Sequence, residues 1–154
     1  MANSVRIEGE PAMLAFAAQM APLLSDGGLI FLEGTLGAGK TTLSRGLIQA
    51  FGHQGAVKSP TYTLVEEYDV DGLRVCHFDL YRLGDPEELE YMGIREYLES
   101  DTLCLVEWPD KGAGVLPVAD LLITIDDVGD ARILNWQANT ERGERWSTGL
   151  AGLI

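Results

Sequence analysis

Apolar positions along the 154-residue chain change spacing from segment to segment, and each spacing predicts an element. Between Pro11 and Leu24, Met13, Leu14, Phe16, Ala17, Met20, Leu23 and Leu24 recur at helical spacing, with Pro11 near the first helical position. Leu29-Ile30-Phe31-Leu32 is a continuous apolar run bounded by Gly27-Gly28, which predicts a buried strand. Thr42 to Phe51 returns to helical spacing through Leu43, Leu47 and Ile48 and stops before Gly52. After a loop from Gly52 to Pro60, strand-like runs cover Thr61–Tyr68 and Leu73–Tyr81, joined by Asp69-Val70-Asp71-Gly72 as a hairpin turn. Asp85-Pro86-Glu87-Glu88 opens a short acidic helix, with an aspartate cap and acids where the helix dipole favours them, and a second follows over Ile94–Glu99. Leu103 to Val106 is apolar throughout and ends in Glu107, as a central parallel strand would. Leu121–Ile125 and Ala131–Ala138 form a second hairpin through Asp126–Asp130. No repeat or linker interrupts the pattern, so residues 1–154 are expected to be a single α/β domain whose hairpins make the sheet mixed.

Between the first strand and the second helix lies Gly34-Thr35-Leu36-Gly37-Ala38-Gly39-Lys40-Thr41, the G-x-x-x-x-G-K-T phosphate loop in its strand–loop–helix setting. Glycines let the backbone curl its N–H groups around phosphates, and the helix N-terminus adds partial positive charge. The expected ligand is a nucleoside triphosphate. The expected fold is a three-layer sandwich of the P-loop NTPase kind, with a mixed, mostly parallel central sheet and β-hairpins. Lys40 is placed to reach the β- and γ-phosphates from a solvent-facing loop, and the Thr41 hydroxyl to ligate magnesium.

Ligands in such folds gather at the carboxyl ends of the strands. Glu107 ends an apolar strand there, which suits a carboxylate on the metal side, or a strand simply emerging into solvent. Asp79 in His77-Phe78-Asp79-Leu80-Tyr81-Arg82 lies opposite in pleat to Phe78 and Leu80. It could orient an attacking water, stand near the metal, or face solvent. His77 shares that face and reads more readily as structural than catalytic. Ser59-Pro60-Thr61 is either a γ-phosphate-sensing segment or a turn, and Trp108 either a lid or packing before Pro109.

Charge narrows the function. Eleven basic against 24 acidic residues give a net charge of −13, with no basic run. Tight direct binding to nucleic acid needs clustered Lys and Arg, so the acidity argues against it; it suits solubility or a basic protein partner. The N-terminal residues lack the segments of a signal peptide, and no apolar stretch reaches the roughly 18 residues that span a bilayer, so no membrane association is expected. Cys76 and Cys104 stand singly inside apolar runs without C-x-x-C spacing, as buried thiols of a cytoplasmic protein do.

Gly34–Thr42 (G-T-L-G-A-G-K-T-T), Ser59–Val65 (S-P-T-Y-T-L-V), His77–Arg82 (H-F-D-L-Y-R), Glu88–Arg95 (E-L-E-Y-M-G-I-R) and Leu105–Pro109 (L-V-E-W-P) together resemble the TsaE family, in the family's order and over about residues 29 to 126. Thr35 departs from the pattern, where the family usually has aspartate. The resemblance implies a weak, magnesium-dependent, partner-activated ATPase, with ATP and Mg2+ as cofactors. It implies work beside TsaD, which transfers a threonylcarbamoyl group to the adenosine next to the tRNA anticodon, and TsaB, with tRNA met only through that complex. By motif, Leu36, Gly37, Ala38, Gly39, Lys40, Thr41 and Thr42 hold nucleotide, Thr41 and Glu107 hold magnesium, and Lys40, Glu107 and Asp79 support hydrolysis. Arg132 is a candidate for the base or ribose side. A small-molecule or nucleoside kinase, or a regulatory ATP-binding module, would use the same loop.

Overall fold

The computed structural model describes residues 3–154. In chain order the elements are β1 (Ser4–Ile7), α1 (Glu10–Met20), β2 (Gly28–Glu33), α2 (Lys40–Ala50), β3 (Val65–Val70) and β4 (Leu73–Asp79), followed by α3 (Glu87–Tyr91), α4 (Ile94–Tyr97), β5 (Thr102–Glu107), β6 (Leu121–Asp127), β7 (Arg132–Ala138) and α5 (Glu141–Ala151). One seven-stranded sheet has the order β1-β7-β6-β2-β5-β4-β3. The ladders β4–β5, β5–β2 and β2–β6 at its centre are parallel, and β3–β4, β6–β7 and β7–β1 at its flanks are antiparallel. Parallel pairing therefore holds the centre but does not outnumber the antiparallel hairpins.

Alternation along the central strands sends side chains into two cores. On one face Ile30, Leu32, Val75, Leu103 and Leu105 pack with Met13 and Phe16 of α1, Leu43 and Leu47 of α2, and Trp146 and Leu150 of α5. On the other, Leu29, Cys76, Phe78, Cys104 and Val106 pack with Leu89 and Ile94 from the short helices α3 and α4. These are the three layers of an α/β sandwich. Both cysteines are buried free thiols, side by side in the β4–β5 register. Among the described residues no helix is long and apolar enough to cross a membrane.

Two sequence expectations shift, and two elements come without any sequence expectation. Thr61–Leu64 is a turn, closed by the Leu64 N–H donating to the Pro60 carbonyl at 2.8 Å, so β3 starts only at Val65. The first hairpin turns on Asp71-Gly72 alone, since Asp69 pairs with Arg74 and Val70 with Leu73. Both turn residues have positive φ (50° and 84°), which a two-residue turn on right-twisted strands requires and which aspartate and glycine tolerate. Lastly, β1 and α5 carry too few large apolar residues to be read from pattern: α5 buries Gly143, Trp146, Ser147 and Leu150 at helical spacing, two of them small or polar.

Thr140 starts α5 by accepting the Gly143 N–H at 3.1 Å, and its own hydroxyl donates to Asp120 at 2.7 Å. Asp120 in turn accepts the Leu29 N–H at 2.8 Å, which ties the helix start to the base of β2. The approach is tight: a Cβ on Gly143 would sit 1.8 Å from the Asp120 carbonyl oxygen. Gly143→Ala should therefore lift α5 from the sheet and cost about 3 kcal/mol. A urea unfolding midpoint lowered with unchanged slope checks this, and a wild-type midpoint would refute it.

Candidate functional site

The strands β2, β5 and β4 end level with one another, with Leu32 beside Glu107 and Glu107 beside Asp79 in the registers. The phosphate loop leaves β2 just above that row. Gly34 crosses so close to β6 that a Cβ would lie 2.6 Å from the Ile125 carbonyl oxygen, and Gly39 caps α2 in the left-handed region at φ 117°. No side chain caps α2, so its first N–H groups stay available to an anion. Leu36 is exposed at the tip of the loop, and Ala38, buried beneath it, donates its N–H to the Thr35 carbonyl at 3.1 Å.

Lys40 is not solvent-facing, as its place in the loop suggested. It is only 4% exposed and folds back, its Nζ donating to the carbonyls of Gly34 (2.5 Å) and Thr35 (3.1 Å) and lying 4.1 Å from the centre of the Trp108 ring. Burial pushes the Lys40 ammonium below the ordinary lysine value, while Glu107, Asp79 and Asp110 pull it back up. A charged amine on two carbonyls and an aromatic face is poised to trade them for phosphate oxygens.

Both candidate carboxylates are buried, Glu107 at 2% and Asp79 at 6% exposure, which removes the solvent-facing alternative for each. Glu107 accepts the Thr41 hydroxyl at 3.1 and 3.2 Å on its two oxygens, and His77 Nε2 lies 2.5 Å from Oε2. Asp79 accepts the Thr61 hydroxyl at 3.1 Å and the Tyr81 N–H at 3.1 Å, and the Ser59 and Thr61 hydroxyls are 2.8 Å apart. Two polar chains thus run beside Lys40: Thr41–Glu107–His77, and Ser59–Thr61–Asp79. Trp108 covers them with a positive φ of 57°, leaning on Tyr81 at 5.0 Å between ring centres.

Two clefts flank the loop. One of about 220 Å³ is lined by Lys40, Thr41, Thr61, Asp79, Glu107 and Trp108, and one of about 370 Å³ by Glu10, Met13, Ala38, Thr42, Asp130 and Arg132. The Arg132 Nε donates to the Ala38 carbonyl at 3.0 Å and its Nη1 pairs with Asp127 at 3.0 Å, so Arg132 sits against the loop on the second cleft. All the sequence candidates thus gather at one pole of the sheet. Sequence reasoning read His77 as more readily structural than catalytic and gave no sign of its contact with Glu107, since a single histidine carries no spacing signal. Met13 had no signal beyond its place on an apolar stripe.

A sequence model described as "Threonylcarbamoyl adenosine biosynthesis protein TsaE" matches residues 7–134. The chain is 53% identical over 143 residues to a Haemophilus influenzae protein named tRNA threonylcarbamoyladenosine biosynthesis protein TsaE, covering 90% of each. It is 40% identical over 116 residues to the Bacillus subtilis protein of the same name, covering 75% of this chain and 72% of that one. The crystal structure of YdiB from Bacillus subtilis superimposes with a TM-score of 0.83 at 30% identity, over 97% of this chain and 94% of that one.

The Thr61 hydroxyl is the side-chain link from the 52–64 loop to the Asp79 carboxylate, beside the backbone bond from the Asp79 N–H to the Leu64 carbonyl at 3.0 Å. Thr61→Val keeps the shape and removes that hydroxyl, a bond worth about 1 kcal/mol. Amides of residues 58–64 should then exchange about fivefold faster, with those of β5 unchanged. Hydrogen-exchange mass spectrometry decides; unchanged exchange in the loop would show that Asp79 does not hold it.

Proposed function

The chain belongs to the TsaE family of threonylcarbamoyl adenosine biosynthesis proteins, and on that premise we propose that it binds ATP with magnesium and hydrolyses it slowly as an accessory in making that tRNA modification. The observation that carries the reading is the Thr41–Glu107 contact in front of the uncapped α2 N-terminus. A hydroxyl and a carboxylate at hydrogen-bond distance, beside a loop shaped for phosphates, are the protein's half of a magnesium–triphosphate site.

The residues fit the group. Hard oxygen donors suit magnesium. Among the described residues no three His, Cys, Asp or Glu side chains converge on one point, and magnesium held with a nucleotide takes its other ligands from phosphate and water. Magnesium there would neutralise charge developing on the transferred phosphoryl. The chain's own part is positional. The N–H groups of Gly37, Gly39, Lys40 and Thr41 would be open to the phosphates, the Ala38 N–H being taken by the Thr35 carbonyl, and Lys40 would exchange the Gly34 and Thr35 carbonyls for phosphate oxygens. Asp79, which already accepts two hydrogen bonds next to Glu107, holds a water or the metal's hydration shell. Arg132 and the larger cleft fit the nucleoside end.

A kinase needs lid arginines on the phosphoryl group. Here Arg82, over Tyr62 at 4.7 Å, and Arg95, paired with Glu90 at 3.6 Å, are single surface arginines and not a gathered lid, so hydrolysis is the better reading. TsaD and TsaB are the proposed partners, with the exposed acids Glu87, Glu88, Glu90 and Glu96 of α3 and α4 as the face for a basic patch.

Titrating ATP with and without magnesium tests the site. Lys40→Ala should stay folded and lose nucleotide binding under both conditions. Glu107→Ala should lose affinity and turnover only where magnesium is present. Unchanged affinity in folded Lys40→Ala refutes the assignment, and equal losses for Glu107→Ala in both buffers make that residue structural.

The net charge of −13 yields a second expectation. The isolated chain should bind tRNA near background at physiological salt, since that affinity comes from clustered cations releasing counterions. Association with TsaB–TsaD should need ATP and weaken as salt rises. Submicromolar tRNA binding by the chain alone would overturn the first expectation, and salt-independent association the electrostatic part of the second.

A further inference from the structure

His77 is fully buried in the middle of β4, on the same face of the strand as the core residue Val75. Its one polar contact is to Glu107, and Nδ1 has no partner. A sheet does not keep a half-satisfied imidazole for packing alone, because burying an unpaired polar atom is unfavourable.

Geometry says what the ring does. An ionised carboxylate only accepts hydrogen bonds, so in the 2.5 Å contact Nε2 is the donor to Glu107. Glu107 therefore receives two donors, the Thr41 hydroxyl across both oxygens and His77, from within the sheet, on Oε2. A cation also competes for it: of the carboxylates that raise the Lys40 pKa, Glu107 acts most strongly, yet the amine donates to the Gly34 and Thr35 carbonyls. With His77 anchoring Oε2, Glu107 stays turned to Thr41 and Lys40 stays free for phosphate.

We propose that His77 is a positioning residue, whose Nε2–H fixes the Glu107 carboxylate toward Thr41 and thereby sets the affinity for magnesium-bearing nucleotide. The inference rests on reading Glu107 as a magnesium-side group. It assigns His77 no contact with nucleotide or metal; the effect passes through Glu107. Hydrogen-bond partners of metal-side ligands commonly change metal affinity by about tenfold to a hundredfold when lost.

The test compares wild type, His77→Leu and His77→Gln by ATP titration in excess magnesium and in EDTA, with thermal unfolding of each. His77→Leu fills the space without a donor. It should lose about tenfold or more of its affinity for ATP with magnesium, and stay within about threefold of wild type in EDTA. His77→Gln, whose amide nitrogen reaches near the Nε2 position, should recover to within about threefold of wild type. Equal losses in both buffers, wild-type behaviour of His77→Leu, or a folded His77→Gln no better than His77→Leu would each overturn the proposal.

Should His77→Leu fail to fold, ring-nitrogen NMR on the ligand-free protein still decides, since the chain has only 2 histidines. His77 should show a slowly exchanging proton on Nε2, with that proton lost in Glu107→Ala; a His77 ring unprotonated at Nε2 refutes the proposal. A wild type whose ATP affinity ignores magnesium overturns the parent reading, and this one with it. That failure is distinguishable because it appears before any substitution is made.

Discussion

The register of three parallel strands governs the site. Leu32, Glu107 and Asp79 stand in one row because β2, β5 and β4 pair residue for residue, and the phosphate loop springs from the strand at the end of that row. A shift of one residue in the β4–β5 ladder would send Asp79 and His77 to the opposite face, into the core beside Val106 and Leu89, and leave Glu107 without its partner. Buried apolar residues on both faces of these strands make such a slip costly. The chemistry is thus held by the most heavily packed part of the molecule.

What that packing holds is a cluster of charge with little water. Lys40, Asp79 and Glu107 are each nearly inaccessible and close enough that the carboxylates raise the Lys40 pKa against the effect of burial. Such a group is tolerable only if every charge has donors or acceptors aimed at it. Here backbone carbonyls serve Lys40, hydroxyls serve both carboxylates, and an imidazole backs Glu107. Trp108, held at a positive φ that a non-glycine residue rarely adopts, keeps its ring over the amine. On the proposed reading the order is prepaid, since a nucleotide's phosphates would find the groups already gathered.

The periphery obeys looser rules. The antiparallel ladders widen the sheet out to the edge strands β1 and β3, and the capped, tightly seated start of α5 joins the base of β2 through Asp120 and Thr140. The thin layer of α3 and α4 covers the other face with few apolar residues and turns its acids outward, which suits a surface that meets a charged partner.

The central strands, α1, α2 and the phosphate loop were legible in the chain, because hydrophobic periodicity and glycine spacing are local signals. Glu107 was legible for the same reason, as a charge closing an apolar run. The starts of β3 and α5 were not. Thr61–Tyr62–Thr63 has strand composition yet is bent by the Pro60–Leu64 hydrogen bond, and α5 rests on glycine, serine and one tryptophan against surfaces from distant segments. Nor could the chain say that Lys40 folds inward, that Asp79 is buried with Thr61, or that His77 reaches Glu107 across 30 residues. Those facts depend on which strands are neighbours and in what register. Residue types and their spacing determined the kind of loop and its anchors; the pairing of β4 with β5 decided which polar side chains face one another, because only contact in space gives a buried hydrogen bond its partner.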